Sequence, residues 1–276
     1  MEPEVRYHML RPDQIVKRRN ECPVAYIPIG NLEWHGQHNP VGTDTLQAEG
    51  IAILCARKGG GLAFPALYYG ESRVESLMEA NAGDRDLIAE KMGLRPENFS
   101  PDRQPFSATE QVLNYQRLLL HILAEGESLG FEVGVLVAGH YPLIDHARSA
   151  VVLFNQRQFS KRQGMLAWAF VDYLLVRDLY DCAGDHAGGW ETSHMLALHP
   201  ETVDLGVLPR KGGKLIGAGG KLAPQDSTEQ FGHETLKAAV EIAVKEVRHR
   251  LEHKDMYRGH GNCLREGLWR RDEGGG

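Results

Sequence analysis

Cysteine is scarce in this chain, with four among 276 residues: Cys22, Cys55, Cys182 and Cys263. No two of them form a CxxC pair, which argues against a thiolate zinc site. They are too few and too scattered for the disulfide framework of a small secreted domain. Long apolar runs are missing as well. No stretch approaches the ~20 apolar residues of a membrane helix, and residues 1–19 are charged, without the apolar core of a signal peptide. There is no basic block either. Lys and Arg total 31 against 37 Asp and Glu, a formal net charge of −6, which argues against nucleic acid and anionic membrane as partners. The expectation is a cytoplasmic protein acting on a small molecule. Its core is large enough to need no staple.

Apolar runs that are present alternate with amphipathic ones. Residues 24–30, 62–69, 133–138 and 165–171 read as buried strands, with Pro65 placing the second near an edge or end. Residues 45–56, 109–129, 143–159, 192–198 and 235–251 read as helices; Val112, Tyr115, Leu119, Ile122 and Leu129 mark the apolar face of the second. Strands alternating with helices predict a mostly parallel sheet covered on both faces, an α/β fold in three layers. The whole chain, 1–276, reads as one domain with a polar, irregular insertion at about 74–105 and a mobile polar tail at about 256–276. Residues 212–220 are glycine-rich but match no nucleotide-binding pattern.

Ligands of such sheets bind beyond the carboxyl ends of the strands, and there the chain is rich in histidine and carboxylate. After the first strand come Glu33 and His35, two apart, which in an extended segment point the same way. A carboxylate and an imidazole converging on one point suit zinc, manganese or iron. Asp44 follows a Gly-Thr turn and could bridge two ions or simply cap a helix. The third strand is closed by His140. A later segment carries Asp185, His186, Trp190 and Glu191; His186 reads as a general acid/base with a substrate pocket beside it. Glu191 stands at a helix start, where the dipole favours a carboxylate. Each of these signals is weak alone, and their weight comes from falling on loops at one sheet edge.

In combination the blocks resemble the creatininase (creatinine amidohydrolase) family. The matching stretches are Ile27-Pro28-Ile29-Gly30 leading to Glu33-Trp34-His35-Gly36 and Gly42-Thr43-Asp44, then Gly139-His140-Tyr141, His186-Ala187-Gly188 with Glu191-Thr192-Ser193, and Ser227 to Gly232. The resemblance implies an α/β/α sandwich, two divalent ions per subunit (zinc, manganese or iron) and a homohexamer. It implies Glu33 and His140 on one metal, His35 on the other, Asp44 bridging and His186 as acid/base; Glu191 is available to complete the second metal's shell. Tyr141, Asp185 and Trp190 are the expected substrate contacts. Two features depart from creatininase itself. Pro142 stands where creatininase has a glutamate ligand, and the insertion at 74–105 falls where relatives shape the pocket.

The function expected is a hydrolase that delivers metal-bound hydroxide to the carbonyl of a small cyclic substrate, cleaving an amide or formamide C–N bond. The alternatives are ring opening at a C–C bond of a cyclic diketone such as a diketo-inositol, with Arg73, Glu75, Glu79, Asp84, Arg85 and Asp86 available to a hydroxyl-rich ligand, and a member of the family that has lost turnover.

Overall fold

The computed structural model describes residues 3–70, 83–99, 105–157 and 164–257. Four strands, β1 (Val24–Ile29), β2 (Leu62–Ala63), β3 (Val133–Ala138) and β4 (Leu166–Val171), form a parallel sheet in the order β2-β1-β3-β4. Eight α-helices surround it among the described residues: α1 (Pro12–Glu21), α2 (Thr43–Gly59), α3 (Arg85–Lys91), α4 (Ala108–Ser128), α5 (Leu143–Arg157), α6 (Asp172–Val176), α7 (Gly189–Leu198) and α8 (Glu229–Glu252). None of the described helices is long and apolar enough to cross a membrane.

The period of the strands divides the core in two. Ile27, Ile29, Leu136, Ala138 and Val171 point to one face and meet Leu119 and Leu123 of α4 and Ile144, Ala147 and Phe154 of α5. Their alternate neighbours Tyr26, Val135, Val137 and Phe170 point to the other and meet Ile51 and Cys55 of α2 with Leu236, Val240 and Ala243 of α8. Covering both faces is why the strands are continuous apolar runs rather than alternating ones. Each fully buried Leu, Ile or Phe in these layers contributes about 1.5–3 kcal/mol.

Register positions the site. Ile29 pairs with Ala138, and Ala138 with Val171, so three strands end flush. Gly30 and Gly139, which start two loops, and Asp172, which starts α6, therefore leave the sheet from one line. The two glycines are required there. A Cβ on Gly139 would stand 1.8 Å from the Asp44 carbonyl oxygen, and one on Gly30 2.4 Å from Thr45 Oγ1. Their bareness lets the first turn of α2 sit directly on the strand ends.

Several elements differ from the sequence reading. Strand 62–69 shrinks to Leu62–Ala63, because Pro65 interrupts the ladder; Leu67 rejoins it as a bridge to Ile29 and donates its N–H to the Pro28 carbonyl. Helix α2 starts at Thr43, which puts Asp44 inside the first turn rather than before it. The insertion is not wholly irregular. Residues 85–91 are the helix α3, which buries Ile88 against Trp34 and Ile216. Arg73, Glu75 and Glu79 lie outside the described residues, as does Cys263. Asp84 pairs with Lys214 and accepts from Gly217 N–H, and Arg85 pairs with Asp86. At the far end of the sheet the Arg250 guanidinium lies between the rings of Trp168 and Tyr257, 4.3 and 4.4 Å from their centres. Tyr257, which the sequence placed in the polar tail, is buried there.

Candidate metal centre

The loop after β1 is extended through Glu33, Trp34 and His35, and the alternation works as expected. Glu33 and His35 turn inward, while Trp34 turns away, donates its indole N–H to the Ile216 carbonyl at 2.9 Å and packs on Ile88. His35 Nδ1 donates to the Glu33 backbone carbonyl at 3.1 Å, which aims Nε2 at Asp44 Oδ1, 3.0 Å away, and at Glu191 Oε2, 3.5 Å away. From the loop after β3, His140 Nδ1 lies 2.9 Å from Glu33 Oε2 and 3.1 Å from Asp44 Oδ2. Asp44 thus turns one oxygen to each histidine.

Two triads share this carboxylate. Glu33, Asp44 and His140 present ligand atoms within 4.8 Å of one another, and so do His35, Asp44 and Glu191. A third grouping, Glu33, His35 and His186, meets the same limit. All but His186 are buried. Glu33 Oε1 and His140 Nε2 make no hydrogen bond, and Glu33 Oε2 and Asp44 Oδ2 share the single His140 Nδ1. Buried carboxylate oxygens short of donors are costly, and they are what a bound divalent ion would satisfy. The donor set, two imidazoles and three carboxylates, suits zinc, manganese or iron.

Electrostatics follow from this crowding. Burial alone would discharge His35, but Asp44 beside it, with Glu191 and Glu33, overcomes burial and raises the imidazole to about 10. His140 is raised to about 10 against burial by Asp44 and Glu33. Burial pushes Glu191 upward, and His35 opposes it only in part. Burial also opposes the charge on Asp44, yet the two histidines hold it well below the usual carboxylate range. Without a cation, the cluster is balanced by protons.

His186 stands beside the triads, its ring centre 4.6 Å from that of His35 and its Nε2 4.0 Å from Glu33 Oε1. Nε2 donates to the Trp34 carbonyl at 2.8 Å, and burial, then the charge on His35, lowers its pKa to about 4. Next to it Ala187 adopts φ +51°, a strained value for a residue with a Cβ. That turn delivers the Ala187 N–H to Glu191 Oε2 at 2.7 Å.

The structure places Tyr141, Asp185 and Trp190 around one cavity. Tyr141 is exposed at the mouth of a cavity of about 420 Å³, with its ring 5.8 Å from that of Tyr173. Asp44, His140, Pro142, His186, Trp190 and Glu191 line the same cavity. Pro142 opens the turn into α5, where a missing N–H costs nothing, and Glu191 stands where an additional carboxylate reaches His35. Asp185 lines the cavity, but its oxygens accept from the backbone N–H groups of Trp190, Glu191 and Gly188 at 2.7, 3.2 and 3.3 Å. It is thus the cap of α7 as well as a wall of the pocket. Trp190 is buried and donates its indole N–H to Asp172 Oδ2 at 3.1 Å.

The sequence reading missed the residues behind this wall. Asp172, fully buried, accepts from Gln47 Nε2 at 3.1 Å, and burial pushes its carboxyl up to about 6. His38 contacts the Ala187 carbonyl and Thr192 Oγ1, each at 3.1 Å, and Asn39 donates to the same hydroxyl at 2.9 Å. Together they pin the β1 loop to α7. The block Ser227 to Gly232 proves to be packing: Thr228 N–H donates to Ser193 Oγ, and a Cβ on Gly232 would meet the Ser193 carbonyl at 1.9 Å.

A parallel sheet with carboxylates and imidazoles gathered past its carboxyl edge is an α/β arrangement able to hold metal ions. Comparison with known proteins finds similarity to creatininases. Residues 8–83 match the family model described as creatininase, creatinine amidohydrolase. The creatinine amidohydrolase of Pseudomonas putida is 29% identical over 195 residues, a match spanning 66% of this chain and 66% of that protein. Two solved creatininase structures, a manganese form and a mutant of the zinc–zinc type, superpose with TM-scores of 0.65 at 20% identity, covering 90% of this chain and 99% of theirs. The matched model and the curated relative both carry the creatininase description over part of this chain, and the solved structures share its α/β fold.

Proposed function

We propose that the protein is a two-metal hydrolase that opens a C–N bond of a small cyclic amide or formamide. The observation that carries this reading is Asp44, whose two oxygens face His35 and His140 separately at 3.0 and 3.1 Å. One triad, Glu33, Asp44 and His140, would hold one ion, and the other, His35, Asp44 and Glu191, the second. Bound divalent ions supply Lewis acidity to a carbonyl oxygen and make water a stronger acid near neutral pH. Similarity to zinc–zinc and manganese creatininases supports that choice of metals.

The chain's own residues provide the rest. The Trp34 carbonyl only accepts, so it fixes a proton on Nε2 of His186 and makes Nδ1 the ring's basic nitrogen. Burial, then the charge on His35, keeps this ring neutral at pH 7, the form that can accept a proton. It would take one proton from the attacking water, whose oxygen bonds to the carbonyl carbon, and return it to the leaving nitrogen as the C–N bond breaks. Tyr141 and Tyr173 form an aromatic mouth suited to a flat ring. The cavity is lined by Asp44, Asp172, Asp185 and Glu191 and by no Lys or Arg among the described residues, which favours a neutral or cationic substrate. Pro142 in place of creatininase's glutamate points to a substrate other than creatinine. By resemblance the chain would assemble as a homohexamer, and its few, scattered cysteines favour a reducing cytoplasm.

The test pairs metal analysis with assays. The purified protein, supplemented with zinc or manganese, is expected to hold two ions per subunit and to hydrolyse members of a panel of cyclic amides and formamides. His186→Ala is expected to keep both ions and lose turnover. Absence of metal after supplementation would remove the site reading. Turnover of cyclic diketones alone would move the reaction to a C–C bond, and two ions without any turnover would indicate a binding member of the family.

A further inference from the structure

Asp172 is the first residue after β4, fully buried, and belongs to none of the ligand triads. Its two oxygens reach two different helices. Oδ1 accepts from Gln47 Nε2 and Oδ2 from Trp190 Nε1, each at 3.1 Å. Gln47 lies three residues after Asp44 on α2, on the same helix face. Trp190 immediately precedes Glu191 in the first turn of α7. The strand end thus holds, through one carboxylate, the two helix starts that carry Asp44 and Glu191.

We propose that Asp172 is a positioning residue that sets the separation of Asp44 and Glu191, and so the affinity of the second metal site. The inference rests on reading Glu191 as a ligand. The chemistry requires an acceptor at both ends, because both partners are N–H donors. A hydrocarbon side chain would leave two buried donors orphaned and the two helix starts uncoupled. The first triad shares only Asp44 with this strut. Its other members, Glu33 and His140, come from the β1 and β3 loops, and Asp44 is seated on Gly139 as well.

Asparagine can replace the strut, and this gives a sharp test. Gln47 Oε1 makes no hydrogen bond. In Asp172→Asn the Gln47 amide can therefore turn over and accept from the introduced NH₂ group, while the introduced carbonyl oxygen still receives the Trp190 indole N–H. Both ions should then bind within about threefold of the parent. In Asp172→Ala the ion at His35, Asp44 and Glu191 should weaken about 10–100-fold, the usual effect of losing a group that orients a ligand, with the other ion unchanged. Trp190→Phe removes one arm without touching the carboxylate and should weaken the same ion to an intermediate degree.

The readout is stepwise Co²⁺ titration of the metal-free full chain, following the visible absorption of each site, with thermal melting in parallel. Glu191→Ala serves as the reference. If Glu191→Ala still binds two ions with parental affinity, the ligand reading fails. If it loses one ion while Asp172→Ala keeps both, the positioning inference fails and the ligand reading stands. Equal weakening of both ions in Asp172→Ala, together with a lower Tm, or an Asp172→Asn as impaired as Asp172→Ala, would also overturn the inference.

Discussion

The two triads are built from different parts of the molecule. Glu33, Asp44 and His140 stand on the sheet: the loops after β1 and β3 and the first turn of α2, seated on Gly30 and Gly139. His35 and Asp44 share that base, but Glu191 comes from the start of α7, a helix held by the Asp185 cap, the strained Ala187 turn and the Asp172 strut. One triad rests on the strand ends alone. The other depends also on Asp172, Asp185 and Ala187, which belong to none of the ligand groups.

The sharpest way to break this contrast is at the shared residue. Asp44→Ala should abolish binding of both ions and lower turnover by about 10³-fold or more, as loss of the activating ions implies. Retention of either ion would show that the triads are not joined. Glu191→Gln, by comparison, should release one ion only, measured as metal per subunit after gel filtration.

Next in size is the seat of α2. Gly139→Ala forces a methyl against the Asp44 carbonyl and should destabilise the fold by about 3 kcal/mol, the upper range for overpacking, with both sites weakened together. A Tm within a degree of the parent would show that the strand ends do not fix the first triad.

Acidity separates the halves more gently. In the metal-free protein His35 and His140 are raised from 6.5 to about 10. The stability they contribute is fully present below 6.5 and is lost as pH rises through about 10. Metal must displace those protons, so apparent affinity should climb between pH 6 and 9, by about tenfold per pH unit for each proton released. Calorimetry in buffers of differing ionisation enthalpy counts the protons; none released would contradict the charge state described above. The smallest effect is expected at the surface. Asp84→Ala removes the exposed pair with Lys214 and should change stability by less than about 1 kcal/mol, leaving the content of both ions unaltered.

What the sequence made legible is mostly what carries charge at strand ends. Glu33, His35, Asp44, His140 and Glu191 could be read because strand periodicity placed them, and a parallel sheet gathers its loops on one edge. The strut was not legible. Asp172 resembles any polar residue after a strand, and Gln47 lies in a helix whose other face is polar, so nothing in their spacing distinguishes a buried pair from a solvated one. The partner of His186 is a backbone carbonyl, which no residue pattern reveals. Helix α3 was hidden because its large buried anchor, Ile88, gains meaning only once Trp34 is known to pack on it.

The ring–guanidinium–ring stack of Trp168, Arg250 and Tyr257 has a practical consequence at the opposite end of the molecule. It ties the last turn of α8 to the outer face of β4, so an affinity tag or fusion partner should be joined beyond Tyr257 and not before it. Trimming the chain inside that point would strip one ring from a buried cation and loosen the helix that covers half of the sheet.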